Sequence, residues 1–403
     1  MRIGILGHSF IDWGGGIDFL RMVVSSLHHS GEAVELHALV PTQGPRLAAR
    51  RAMALTYRSA KWMIDGSARV AAPRPDTSHF ADLSNSAEGP VGVHAIDLGV
   101  PSIAKAARKL SLDALIPAFA PLPTDFSTPW VGYLYDFQHR YFPQLFTPAD
   151  GAKRDKQFAT MLASARSVIV NARSVAADVV RFHPDSRARV FALPFGAAPH
   201  PDWLTPCKSP AAKFGIEKPY FIICNQFWTH KDHGTAFAAF ARIASTHPDV
   251  DLVCTGATRD YRDAEYFPAL QRALAHDRNT QRVHILGMVP KTDQIELVKG
   301  SIALIQPTLF EGGPGGGAVY DAVSLGVHCL VSDIAVNREL SEPGISFFTA
   351  GDAASLAALL GTAIEHPRPA ASDAGALRKR GRERRAACGI ELLAAIRYAR
   401  DHR

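Results

Sequence analysis

The sequence predicts an α/β protein built from two domains, each with a parallel sheet. Three observations carry this. Short apolar, β-rich runs alternate with helical patterns over nearly all of the 403 residues. The alternation stops once, at a proline-rich stretch near residue 200, and then restarts. The chain is also longer than one ordinary core accommodates. Strand–helix–strand alternation implies parallel strands with helices on both faces. A 47% hydrophobic content can fill two cores, and 20% charged residues keep them in water. Disordered, collagen-like and disulfide-scaffold classes are excluded by that balance.

In chain order, Met1-Arg2-Ile3-Gly4-Ile5-Leu6-Gly7 reads as a first buried strand. Its apolar run is too short for a signal-peptide core. A helix over 16–29 follows, with Ile17, Leu20, Val23, Val24 and Leu27 on one side. Further strands are expected at 33–40, 114–117, 130–134, 167–171 and 190–193. Residues 44–90 behave differently. Arg46, Arg50, Arg51, Arg58 and Lys61 mix there with Tyr57, Trp62 and aliphatic residues. This reads as an inserted helix with a solvated face, and a membrane-surface helix is the other reading; 72–90 reads as a loop. Five prolines (Pro194, Pro199, Pro201, Pro206 and Pro210) make a linker. After it come strands at 220–224, 251–255, 283–286, 303–306 and 329–332, with a helix near 234–245. The expected domains are 1–198 and 199–375, followed by a basic helical segment over 376–403.

Cys207, Cys224, Cys254, Cys329 and Cys388 are widely spaced, with no Cys-x-x-Cys pair. That disfavours structural zinc and a secreted disulfide framework, and a reducing cytoplasmic compartment is expected. No stretch approaches the roughly 18 apolar residues of a membrane span. The formal net charge is +6. Residues 377–403 hold nine basic residues against Glu383, Glu391 and Asp401, which equals the whole surplus. The body is therefore neutral, and with no base-reading motif a nucleic-acid partner is not expected.

The chemistry concentrates at 306–321. A strand ends at Gln306, Glu311 appears, and six of the next seven positions are glycine or proline before a helix starts near Ala318. Glycines let backbone N–H groups approach a ligand, and a helix start adds partial positive charge. Such a loop at the carboxyl end of a strand suits phosphate or sugar hydroxyls. Neither a Walker loop nor a Gly-x-Gly-x-x-Gly fingerprint is present. His230 and His233 flank Lys231 at ligand-like spacing, but no third ligand lies nearby, so no metal is expected. His8, after the first strand, fits either a cleft or a structural position.

Pro-Thr-Leu-Phe-Glu-Gly at 307–312, the glycine loop, 321–326 and 331–333 resemble the donor-binding motif of family-4 glycosyltransferases of the GT-B fold. Residues 220–233 are similar to the stretch that opens that family's second domain. Asp136-Phe137-Gln138-His139, and 182–184 leading to 193–195, resemble motifs of one bacterial subgroup. The resemblance implies two Rossmann-like domains facing each other across a cleft that binds a nucleotide-diphospho-sugar, with the sugar transferred with retention. No further cofactor is implied. Glu311 matches the residue on the donor-sugar hydroxyls, with the amides of Gly313, Gly315, Gly316 and Gly317 nearby. Lys231 matches the diphosphate lysine, and Gln226 stands where most members have an arginine. Asp321 matches the ribose carboxylate, ten positions after Glu311 instead of the usual eight, so Tyr320 is a candidate to share that role. Asp136 and His139 are the implied first-domain residues facing the sugar. Gly14, Gly15 and Gly16 match the loop near acceptor and phosphate.

By resemblance to surface-polysaccharide mannosyltransferases, the implied donor is GDP-mannose and the acceptor a saccharide or lipid-linked glycan. The last helix is implied to cross back to the first domain, its basic face meeting anionic lipid. A GT-B epimerase and a non-catalytic nucleotide-sugar-binding partner are the alternatives.

Overall fold

The computed structural model describes residues 1–7, 10, 15–41, 89–97, 99–205, 210–276, 282–366 and 373–402. The readings made at His8, Gly14, 44–88 and Cys207 lie outside these residues.

The first domain is a seven-stranded sheet of β1 (Arg2–Leu6), β2 (Glu35–Pro41), β3 (Val91–Ile96), β4 (Ala114–Ala118), β5 (Trp130–Leu134), β6 (Ser167–Val170) and β7 (Arg189–Ala192). All pairs are parallel, in the order β3-β2-β1-β4-β5-β6-β7. The second sheet holds β8 (Tyr220–Cys224), β9 (Asp251–Thr255), β10 (Val283–Gly287), β11 (Leu304–Gln306), β12 (Cys329–Ser332) and β13 (Ile345–Phe348). It is parallel too, in the order β10-β9-β8-β11-β12-β13. These are the two α/β domains the alternation predicts. The edge strand β3 was not singled out in the sequence because only Val91 of its six residues is buried, so no continuous apolar run marks it.

Strand order reverses between β1 and β4 and again between β8 and β11. Helices leave the sheet to opposite faces at such a point, opening a crevice at the carboxyl ends of the strands. The two crevices face each other. A Cβ added to Gly312, beyond β11, falls 2.6 Å from the carbonyl oxygen of Tyr135, beyond β5.

Helix α1 (Gly16–His28) lays Leu20, Val23 and Leu27 on Ile3 and Ile5 of β1. The first domain continues with α2 (Val100–Lys109), α3 (Gln138–Tyr141), α4 (Pro148–Ser164) and α5 (Arg173–Phe182). The second has α6 (His233–Ala244), α7 (Tyr266–Ala275), α8 (Lys291–Gly300), α9 (Gly316–Ser324) and α10 (Ala353–Glu365). The last helix, α11 (Ala374–Asp401), starts beside the second domain, where Arg384 pairs with Glu342 at 2.5 Å. It then runs onto the first domain. Cys388, Leu392, Leu393 and Ile396 join the core of α1 and β1, and Ser167 Oγ donates to the Ala395 carbonyl at 2.8 Å. At the crossing, a Cβ on Gly389 would lie 2.0 Å from the Ser26 carbonyl oxygen, so the two helix backbones touch. Arg378, Lys379, Arg380 and Arg382 remain exposed, and Arg397 pairs with Glu32. No described helix is long and apolar enough to cross a membrane.

Candidate active site

Two loops build the centre of the site, one after β8 and one after β11. After β8 the chain makes a short 3-10 turn over Thr229–Lys231, and Asp232 takes a left-handed conformation (φ 48°, ψ 49°). Its carboxylate accepts from Thr235 N at 3.3 Å and caps α6. The Leu309 N–H donates to the His230 carbonyl at 2.8 Å, which fastens this turn to the loop after β11.

Between the loops runs a line of polar groups. Asn225 Nδ2 donates to Gln306 Oε1 at 2.8 Å, and Gln306 Nε2 donates to Glu311 Oε1 at 2.9 Å. Lys231 Nζ forms an ion pair with the same oxygen. The buried amides orient the carboxylate, because a buried polar group is costly unless bonded. Lys231 and Glu311 keep 13% and 10% of their side chains exposed, enough to meet a ligand.

The glycines divide their tasks. Gly312 and Gly313 give room to the first domain, the latter with Asn171 Cβ 3.1 Å from its would-be Cβ. Gly315 (φ +71°) turns the chain into α9 and donates to Asn337 Oδ1 at 2.8 Å. At Gly316 (φ +61°), a Cβ would sit 3.0 Å from the Glu311 carboxyl. Gly317 faces open space.

From the first domain, Asp136 lies over Gly312 and accepts from Gln138 N at 2.8 Å and Arg154 NH1 at 3.5 Å. Burial pushes its carboxyl above the ordinary value, against the pull of Arg154. His139 is placed otherwise. Its Nε2 meets Asp155 Oδ1 at 2.8 Å, and its ring packs among Phe137, Phe146 and Phe158. No contact joins it to Glu311 or Lys231, and its ring is 1% exposed. Gly15 and Gly16 open α1; Gly16 is required by contact, since a Cβ there would fall 2.3 Å from the Phe10 carbonyl oxygen.

Tyr320 and Asp321 sit on α9, but their side chains go elsewhere. The Tyr320 ring packs against Phe195 of the linker, with centroids 4.3 Å apart and planes tilted by 60°. Asp321 pairs with Lys291, which lies over the Trp203 ring. Gln226 lies two residues beyond β8, its backbone nitrogen 2.9 Å from a would-be Cβ on Gly256. Burial outweighs Lys291 and pushes the Asp321 carboxyl up to about 6, with Asp18 of α1 adding to the rise. The folded protein thus keeps a proton that the unfolded chain has released. Ionising it destabilises the fold, so stability falls as pH rises from about 4 to about 6. Asp321→Asn is expected to flatten this step, worth up to ~3 kcal/mol. Urea unfolding at about pH 4.5 and about pH 7 measures it, and an unchanged step in the variant would refute the assignment.

Sequence reasoning missed Asn225, Gln306, Arg262 and Glu339. An amide closing an otherwise apolar strand was a usable signal for the first two. Glu339 accepts from the N–H groups of Arg173 (2.9 Å) and Ser174 (2.7 Å), capping α5 from the other domain where Ala172 has no side-chain acceptor. Nothing local in sequence marks such a pairing.

Residues 209–384 match the family of glycosyl transferases group 1. No curated protein sequence is significantly similar to the chain. Among solved structures it is similar to the sucrose-phosphate synthase of Thermosynechococcus elongatus, with a TM-score of 0.62 at 14% identity, covering 98% of this chain and 97% of that one. It is similar to HepE of Anabaena in complex with UDP and glucose, with a TM-score of 0.61 at 16% identity and 98% of both chains covered. WaaG, a glycosyltransferase involved in lipopolysaccharide biosynthesis, follows at 0.54 and 14%, again over 98% of both. Residues 209–384 therefore resemble the group 1 glycosyl transferases, within a chain that has the two-domain GT-B fold of these structures.

Proposed function

We propose that the protein is a retaining hexosyltransferase that moves a hexose from a nucleotide-diphospho-sugar to a saccharide or lipid-linked glycan in surface-polysaccharide synthesis. One observation carries this reading: Lys231 and Glu311 meet at the switch point of the second sheet, beneath Asp136 of the first domain. Lys231 and the N-terminus of α9 offset charge developing on the leaving diphosphate. Glu311 accepts hydrogen bonds from vicinal sugar hydroxyls. The acceptor hydroxyl attacks the face the diphosphate leaves, which takes its proton, so positioning replaces a protein nucleophile.

HepE was solved with UDP-glucose, so UDP-glucose is to be tried beside GDP-mannose. A donor that binds only the folded state raises its stability by about 2.7 kcal/mol at a hundred times Kd. The expected result is a thermal shift with one nucleotide-sugar and transfer of its hexose to a saccharide. Binding without turnover would favour a non-catalytic partner, and a donor sugar released in epimerised form would favour an epimerase. The exposed Arg378, Lys379, Arg380 and Arg382 suit anionic lipid beside a lipid-linked acceptor. Changing all four to glutamate should abolish co-sedimentation with phosphatidylglycerol vesicles; unchanged binding removes that part of the proposal.

A further inference from the structure

We propose that Arg262 is a positioning residue of the transfer reaction, setting the first-domain loop 136–139 against the turn that carries Lys231. The inference rests on the transferase reading above. Arg262 lies beyond β9, and its guanidinium reaches three acceptors. Nε donates to Asp260 Oδ1 at 3.3 Å, NH2 to His230 Nδ1 at 3.2 Å, and NH1 crosses to Gln138 Oε1 at 3.1 Å. Gln138 in turn donates its backbone N–H to Asp136 at 2.8 Å. One side chain thus joins the neighbour of Lys231 to the neighbour of Asp136.

Its surroundings hold it in one pose. The guanidinium lies over the rings of Trp228 (5.1 Å), Tyr261 (5.2 Å) and Phe146 (5.9 Å), the last from the first domain. The side chain is 7% exposed and that of Asp260 is fully buried. Asp260 also accepts from Thr229 N at 3.0 Å, so the same carboxylate fixes the Lys231 turn and the arginine. Because a guanidinium can only donate, His230 Nδ1 is an acceptor and the ring is neutral. Burial, Lys231 and Arg262 hold that histidine down to about 2. A planar fork with fixed donors can satisfy three directions at once, whereas a lysine ammonium on a flexible stem cannot.

Arg262 makes no contact with Glu311 or Lys231 themselves, so its loss should act on assembly of the two halves and leave donor capture on the second domain. The test compares the parent, Arg262→Lys, Gln138→Ala and the double variant, measuring kcat, donor KM and UDP binding by calorimetry. Each single variant is expected to lower kcat about 10- to 100-fold, the scale of one charge-assisted hydrogen bond. Donor KM and UDP affinity should stay within about threefold. The double variant should lose no more than the worse single one, because both cut the same link. Gln138→Ala leaves the Asp260–Arg262–His230 cluster whole, so it decides the matter should Arg262→Lys fold poorly. Wild-type kcat in Gln138→Ala, or additive losses, would overturn the proposal with the transferase reading intact. A parent that transfers no sugar would overturn both.

Discussion

Glu311→Gln is expected to lower kcat for sugar transfer by about 10²- to 10³-fold with the fold unchanged. That is the scale on which single preorganised electrostatic groups act at a transition state. The substitution keeps shape and one acceptor oxygen. Gln306 and Lys231 both donate to Oε1 of Glu311, so an amide with its oxygen in that place preserves both bonds. What disappears is the negative charge beside Lys231 and the second acceptor open to sugar hydroxyls. Circular dichroism and thermal unfolding close to the parent, with transfer lost, support the assignment. Parent-level kcat in this variant would remove Glu311 from the chemistry.

The largest expected loss of stability from a substitution lies far from the cleft, at Gly389. In an exposed helix, glycine to alanine stabilises by about 1 kcal/mol through propensity alone. Here the new methyl would meet the Ser26 carbonyl oxygen at 2.0 Å and Ser30 Cβ at 2.9 Å. Backbone cannot yield as a flexible side chain does, so α1 and α11 must separate and loosen the core they share. Gly389→Ala is expected to cost about 2 kcal/mol, lowering Tm by about 2–4 °C. The sign is diagnostic, since a rise in Tm would mean the helices do not touch.

The central strands β1, β8, β9 and β11 were legible because each is a continuous apolar run, as strands buried on both faces must be. The loop from Glu311 to Gly317 was legible for a different reason. So many residues without side chains, directly after a strand and before a helix, have few purposes besides close approach. The rest depended on pairings distant in sequence. Arg262 and Gln138 are 124 positions apart, and Glu339 and Arg173 are 166 apart. Each is an ordinary surface-type residue in its own neighbourhood. His139 illustrates the converse. Its place after a strand end suggested the cleft, yet three neighbouring phenylalanines and Asp155 offered it an interior berth.

The path of α11 has a consequence for how the chain is made. Domains generally fold as units, the N-terminal one first, as they leave the ribosome. Here the layer over α1 and β1 includes Cys388, Leu392, Leu393 and Ile396, which come from beyond the second domain. The first half of the chain therefore emerges with an uncovered apolar face and holds it until residues 388–396 have followed. A fragment ending at the linker should aggregate, whereas the same fragment supplied with residues 373–402 as a separate peptide should be rescued. Affinity tags are better placed where they leave α11 free to dock.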